Sequence, residues 1–320
     1  MHGADYVIKR ALFAVATVFV AITLNFVLFR ALPGDAVSNL AHVPHATPQL
    51  KEALTREFGL DKPKWEQYVI YLRELTHLNL GVSYANHQPV TTNLLGKLGN
   101  TIPMVALGTF VAIVVGLATG VLSAWRRSTK LDQASTNVAI AFYSFPTQWL
   151  GLMLLIIFAG VLPSGGMSDP YLFDPTLVQH VGDLLRHMAL PSLTLALTLY
   201  GEYTLIVRSA MLETLGEDYV LTARAKGMRS WTVVRRHALR NAMLPTITLI
   251  ALSLGYIVAG SILVETVFSW PGIGRAVYQA VLQRDYPMLQ GAFLVLTLSV
   301  VFFNLLADLL YFKLDPRITS

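Results

Sequence analysis

Residues Ser209–Pro245 read SAMLETLGEDYVLTARAKGMRSWTVVRRHALRNAMLP. The stretch follows one apolar run, precedes another, and carries six basic residues: Arg224, Lys226, Arg229, Arg235, Arg236 and Arg240. Met211, Leu212, Leu215, Tyr219 and Val220 recur near a helical period. Glu213, Glu217 and Asp218 come early, Arg224 and Lys226 late, which complements a helix dipole. Gly227 is placed to end that helix. A second, basic helix is expected through Trp231, Val234 and Leu239 to Asn241, with Pro245 opening the next apolar run. A charged helical loop between two membrane-spanning segments faces the side on which positive residues collect. It offers apolar residues to the bundle and charges to a soluble partner. A basic helix resting on anionic lipid would read the same way, and the residues alone leave both open.

Outward from this loop the chain is apolar. Of its 320 residues 54% are hydrophobic and 13% charged, with mean hydropathy +0.54. Soluble domains carry about 25% charge, so the composition indicates an integral membrane protein. There is no cysteine, which excludes disulfides, thiolate metal sites and a cysteine nucleophile. No basic run alternates with aromatics, so nucleic-acid binding is not expected.

A membrane helix needs about 20 mostly apolar residues, and six stretches qualify. They are Ala11–Phe29, part of Thr101–Trp125, Val138–Leu162 with a kink at Pro146, His187–Val207, Leu244–Val267 and Met288–Leu310. The first has a longer apolar core than a signal peptide and no clear cleavage site, so it reads as a retained anchor. Lys9, Arg10, Arg126, Arg127, Lys130, the seven basic residues from Arg208 to Arg240, Lys313 and Arg317 then fall on one side. Only Arg186, Arg275 and Arg284 fall in short loops on the other. The expected fold is all-α: six transmembrane helices with both termini cytoplasmic. Residues 1–30 hold the first span and 31–100 an outer helical loop. Residues 101–320 hold a five-helix core, with the cytoplasmic loop at about 209–243. In the outer loop, Thr47-Pro48 is expected to start one short helix ending at Gly59, and Asp61 a second with Trp65, Tyr68, Val69, Leu72 and Leu75 on one stripe.

The chain lacks GxxxxGK[ST], HExxH, GxSxG and GxGxxG patterns, so it carries no phosphate cradle of its own. No catalytic residue, cofactor site or metal site is expected; its histidines are scattered, with His42 near His45 and His180 seven residues before His187. Three polar features remain. Glu202 lies six residues, about 9 Å, inside the fourth span from Arg208, and an ionisable group there normally faces a cavity or partner. Glu265 sits near the outer end of the fifth span, and Pro146 could bend a helix that lines a pathway. Asp308, at the inner end of the sixth span, is expected to pair with Lys313 or Arg317. Gly116 and Gly120 form a GxxxG suited to close helix packing.

Seven segments in order resemble one family: RALPGDA (30–36), EFGLDKPKWEQYVIYL (57–72) with LNLGVSY (78–84), LGNTIPM (98–104), HMALPSLTLAL (187–197), EDYVLTARAKG…RRHALRNAMLP (217–245), ETVFSWPGIGRAVYQAVLQRDYPMLQG (265–291) and ADLLYFKLDPRI (307–318). On these residues the chain is identified as resembling permeases of binding-protein-dependent ABC importers, nearest the dipeptide/oligopeptide/nickel group. The wider superfamily has Glu-Ala-Ala where this chain has Leu221, Thr222 and Ala223, a departure that resembles the peptide subgroup. The resemblance implies that Glu217, Asp218, Tyr219, Thr222, Ala223, Arg224, Ala225, Lys226 and Gly227 contact a cytoplasmic ATPase. Ala223 and Gly227 would allow close approach, and Arg224 and Lys226 would meet acids.

By the same resemblance, Trp270, Pro271, Gly272, Arg284 and Asp285 would lie at the binding-protein contact and Glu265 near the translocation mouth. Glu202 and Pro146 are pathway candidates from their places in the spans alone, where Glu202 could meet a cationic group such as a peptide amino terminus. The implied assembly holds a homologous second permease as a heterodimer, two P-loop ATPases carrying ATP and Mg, and an extracytoplasmic solute-binding protein. It would sit in the cytoplasmic (inner) membrane of a prokaryote and import peptides or similar small solutes by alternating access. A self-sufficient secondary transporter or channel is the alternative, weakened by the absence of an internal repeat.

Overall fold

In hydrocarbon every backbone N–H and C=O must be paired within its own segment, so the long apolar runs of this chain become helices. The computed structural model describes residues 3–31, 61–243, 246–247, 250, 253 and 261–314. Among them there is no strand, only one bridge between Val82 and Pro89. The helices are α1 Gly3–Ala31, α2 Lys64–Thr76, α3 Val90–Trp125, α4 Lys130–Ser144, α5 Thr147–Ile157, α6 Leu177–Leu215, α7 Asp218–Ala225, α8 Ser230–Val233, α9 Ile262–Val267, α10 Ile273–Gln283 and α11 Tyr286–Leu314.

Four of these, α1, α3, α6 and α11, are long and apolar enough to cross a membrane; α4 with α5 makes a fifth if the pair is one span. The expected fifth span, Leu244–Val267, falls mostly outside the described residues, as do the expected outer helix from Thr47 to Gly59 and the chain after Leu314.

The centre of the bundle is the α3–α6 pair. With 36 and 39 residues they reach about 54 and 58 Å, well beyond the roughly 30 Å of a hydrocarbon core. Small residues let the two backbones close. A Cβ on Gly108 would lie 2.8 Å from the Ser192 carbonyl oxygen, one on Gly116 2.6 Å from the Tyr203 Cβ, and one on Gly120 2.8 Å from the Thr204 carbonyl oxygen. Thr119 and Thr204 join their hydroxyls at 2.9 Å across the same seam, and Ser192 donates to the Met104 carbonyl at 2.9 Å. The GxxxG therefore packs within the bundle. Helix α3 runs unbroken through residue 100, so the outer segment and the core share one helix.

Helices α4 and α5 are bent by 106°. Pro146 does not kink a continuous helix as expected. It stands outside both, extended at φ −59°, ψ 131°, as the residue that opens α5. A proline lacks the N–H a helix interior needs but suits a helix start.

Helix α1 is peripheral and mostly exposed. It is held to α11 near its N-terminus by Arg10 and Asp308 at 3.2 Å, and towards its C-terminal end by Asn25 donating to the Gln290 carbonyl at 3.0 Å. Asp308 thus meets Arg10, while its expected partners Lys313 and Arg317 lie outside the residues whose side chains are described. Helix α2 begins after Pro63 rather than at Asp61 and lies against α1. Thr23 meets the Tyr68 hydroxyl at 2.7 Å, and the Phe26 ring touches Tyr68 and Tyr71. Trp65 and Val69 of the expected apolar stripe are exposed instead.

Candidate functional site

Eight residues make α7, too few for a stable helix in isolation, so its support must come from packing and caps. Val220 and Ala223 point inward and form a small core with Val233, flanked by Leu215 and Met228. At its end, Gly227 adopts φ +76°, and the Gly227 and Met228 N–H groups return to the Arg224 and Ala223 carbonyls at 2.9 and 3.4 Å. A left-handed residue with such return bonds is a helix stop that glycine meets without strain. Tyr219 accepts from the Asn241 side chain at 2.6 Å, tying α7 to the chain beyond α8.

This unit sits on the C-terminal ends of the central pair. After α8 the helix widens into one π turn, Val234–Ala238, which turns Val234 and Ala238 into a core with Val121 and Ala124 of α3 and Val207, Ala210 and Met211 of α6. Trp125 donates to the Ser230 hydroxyl at 3.0 Å, and the Trp125 and Trp231 rings lie 4.9 Å apart. The surface that remains is polar and open: Glu217, Asp218, Tyr219, Thr222, Arg224, Ala225, Lys226 and Gly227 are all exposed.

Two expected roles change. Ala223 is 5% exposed and packs on the unit's own core, so it offers no close approach to a partner. Gly227 is exposed, with no atom within 4 Å of the point where a Cβ would stand; its glycine serves the positive φ.

A polar lock beneath this surface escapes sequence reading. Asp132, at the start of α4, accepts from the Arg208 Nε at 2.7 Å and Nη2 at 3.1 Å, from the Ser123 hydroxyl at 2.5 Å, and from the Ser128 N–H at 2.9 Å. Three helices, α3, α4 and α6, meet at one buried carboxylate. An acid just after the Arg126–Lys130 cluster is the one signal the sequence offers for it.

At the other end of the bundle, expected to be the outer one, lies a second closed network. Glu265 is fully buried and accepts from Thr101 at 2.7 Å, Ser261 at 2.9 Å and the Arg275 N–H at 2.9 Å. Thr101 in turn accepts from the Ile273 N–H at 2.9 Å. The Trp270 indole donates to the Asn100 carbonyl at 3.0 Å, and Asn100 donates to the Pro271 carbonyl at 2.9 Å. A side chain on Gly272 would overlap Glu265 and Thr101. Glu265 is thus committed to its own chain and is not free to line a pathway. Trp270 and Gly272 are buried, so they shape the outer surface without forming it. Asp285, 1% exposed, accepts from Ser83 at 2.5 Å and from the Met288 N–H at 3.2 Å, capping α11 and holding the 83–85 turn. Of the five expected outer contacts, Arg284 is exposed and Pro271 partly so. Glu202 is half-buried on α6, and Pro146 is exposed at the α4–α5 break.

Two family models cover nearly all of the chain: binding-protein-dependent transport system inner membrane component over residues 112–320, and the N-terminal model of the same membrane component over residues 4–105. The chain belongs to the binding-protein-dependent transport system permease family. It is 38% identical over 331 residues to the dipeptide transport system permease protein DppB of Escherichia coli K12, covering 97% of this chain and 98% of that one. It is 40% identical over 321 residues to a putative peptide permease protein of Brucella suis biovar 1, covering 98% of each, and 34% identical over 317 residues to the glutathione transport system permease protein GsiC of an Escherichia coli O6:H1 strain, again covering 98% of each. Its fold resembles a chain of the MetNI methionine ABC transporter in an inward-facing conformation, with TM-score 0.57, 18% identity, and 69% and 96% of the two chains covered.

As a member of this permease family the chain is the multi-pass membrane component of an ABC importer, the part that works with ATPase and binding-protein partners and is not itself the ATPase. The relatives favour this over a self-sufficient transporter or channel. Within the permease, α7 and its supporting unit form an exposed, charged surface joined without slack to the two central helices.

Proposed function

We propose that this permease imports peptides or closely similar small solutes, and that α7 is the helix through which ATP binding on a cytoplasmic partner moves the bundle. The observation that carries the reading is the seating of α7: exposed charge on one face, and on the other a packed unit continuous with α3 and α6. A force applied to Asp218–Gly227 would reach both long helices through Val234, Ala238 and Tyr219 before any flexible link absorbs it.

The full assembly in this proposal has six spans with both termini cytoplasmic. It pairs the chain with a homologous second permease, two P-loop ATPases that hold ATP and Mg, and a solute-binding protein outside. It works in the cytoplasmic membrane of a prokaryote. ATP closure of the ATPase dimer would draw the coupling helices together and open the cavity outward to the docked binding protein; product release would restore the inward state. That cycle requires ATP to have different affinity for the two states. Names of the relatives support peptides as the cargo class.

The absence of cysteine makes the test direct. Arg224→Cys labelled with a thiol-reactive photo-cross-linker in the native complex should cross-link on irradiation to a copurifying ATPase, and proteoliposomes holding the complex should accumulate dipeptide only with ATP and binding protein. A chain that purifies without an ATPase, or uptake that ignores ATP, would overturn the proposal.

A further inference from the structure

Glu202 and Glu213 are the acids of α6 that no neighbour engages among the described residues, and of the two only Glu202 lies within the apolar length of the helix. Its flanking residues Gly201 and Tyr203 are buried while it is half exposed. The two flanks belong to the two faces α6 uses. Tyr203 and Val207 face α3, against Gly116 and Gly120, and Gly201 and Arg208 face α4, against Tyr143 and Asp132. At 100° per residue, Glu202 points away from both faces. Thr198 and Ser209 share its stripe, one half-buried and one exposed, so the stripe is partly polar and opens toward the inner end.

Among the described residues none gives Glu202 a hydrogen bond or ion pair. The nearest base along the helix, Arg208, is already held by two bonds to Asp132. An acid at this depth is expensive unless it faces water or meets a cation. The base that the helix itself supplies is used elsewhere, so among the described residues Glu202 stays open to water and to a cation that a solute brings.

We propose that Glu202 is the point on the translocation path that receives the ammonium group of the cargo, so that solutes with a free amino group pass in preference to N-acylated or anionic ones. The proposal rests on the peptide reading above. A single half-exposed carboxylate attracts a passing amine without the second and third contacts that would trap it. Carboxylate ends of the same cargo would be repelled, which orients a zwitterionic dipeptide as it moves.

The test uses the intact reconstituted complex with its binding protein. A carbodiimide that modifies membrane carboxylates is applied during import, and the modification of Glu202 is read by mass spectrometry. Free-amine dipeptide should protect Glu202 at least threefold and the N-acetylated dipeptide should not. Glu202→Gln should lower free-amine dipeptide flux roughly tenfold, the scale of a lost charged hydrogen bond, with Glu202→Asp between; ATPase copurification and thermal stability should not change. Import that proceeds with Glu202 modified equally in the presence and absence of dipeptide overturns this proposal alone. Absence of any modification also overturns it, because the carboxylate is then sealed against a partner. A wild-type complex that imports no dipeptide overturns the peptide reading, and this proposal with it.

Discussion

Arg208 grips Asp132 through two nearly parallel bonds, Nε to Oδ1 at 2.7 Å and Nη2 to Oδ2 at 3.1 Å, across 76 residues of sequence. The forked geometry matches a guanidinium to a carboxylate and no other basic side chain reproduces it. The pair stands where α3, α4 and α6 converge, directly below the core that seats α7. It sets the spacing between the broken pair α4–α5 and the central helices at the end where coupling force would enter.

Removal of one partner should therefore cost more than a surface ion pair. Asp132→Ala leaves a guanidinium with 26% side-chain exposure and no carboxylate. The expected loss is about 2 kcal/mol, below the fully buried range because Arg208 is partly solvated. Arg208→Lys should lose most of the same amount, since a point charge cannot fork. Thermal unfolding of the purified complex checks both. The double change Asp132→Ala with Arg208→Ala should be less damaging than the sum of the singles; strict additivity would mean the pair contributes nothing.

Gly227 stops α7 at φ +76° with open space around it. Sterically, alanine fits; conformationally, it does not. Gly227→Ala should cost about 1 kcal/mol locally and reduce ATP-coupled uptake through a frayed α7, while Gly227→Asn, which tolerates the left-handed region, should keep most of it. Uptake and ATPase rates measured side by side decide the matter. Equal activity of the alanine and glycine proteins would show that the helix stop has no bearing on coupling.

Glu265 closes the outer network with two hydroxyls and one backbone N–H. Glu265→Ala strands those donors in a buried site, a loss of roughly 3 kcal/mol. Glu265→Gln retains an acceptor for the Arg275 N–H and asks Thr101 and Ser261 to rotate, so it should cost less. Neither change should alter the preference between neutral and cationic cargo, because the carboxylate does not face a path. A selectivity change in Glu265→Gln, measured by competitive uptake, would return Glu265 to the pathway.

Much of this is legible in the sequence, and the remainder fails for definite reasons. The apolar runs dictate helices, the Gly116–Gly120 pair signals close packing, and the base-last order with Gly227 locates the end of α7, whereas its start is missed, since Met211, Leu212, Glu213 and Leu215 belong to α6. Pro146 signals a bend, but the residues from Val138 to Phe145 and those of α5 are apolar on both sides of it, so composition does not show that the helix stops there and the chain turns through 106°. Ala223 is placed at the partner contact by resemblance, and eight residues contain barely two turns, too short for periodicity to turn it inward. Trp270, Glu265 and Asp285 look like surface residues of an outer loop; their burial depends on Asn100, Thr101 and Ser83, more than 160 residues earlier. Pairings of that separation, like Arg10 with Asp308, leave no local signature.

The glycines of α3 divide into two classes that sequence alone does not distinguish, and they support a paired prediction. Gly116 and Gly120 meet Tyr203, Thr204 and Val207 at distances a Cβ cannot share, whereas Gly96 and Gly99 have nothing within 4 Å. Gly116→Val should push α3 from α6 and cost about 1–3 kcal/mol, with loss of coupled uptake because the two helices that receive motion from α7 no longer move together. Gly99→Ala should be neutral or stabilising by up to about 1 kcal/mol, since it only restricts the unfolded chain and favours the helix. Thermal stability and ATP-driven uptake of the two variants are measured in the same complex. If Gly116→Val is tolerated as well as Gly99→Ala, the α3–α6 seam is looser than its geometry requires, and transmission from α7 would have to run through α4 and the Asp132–Arg208 pair instead.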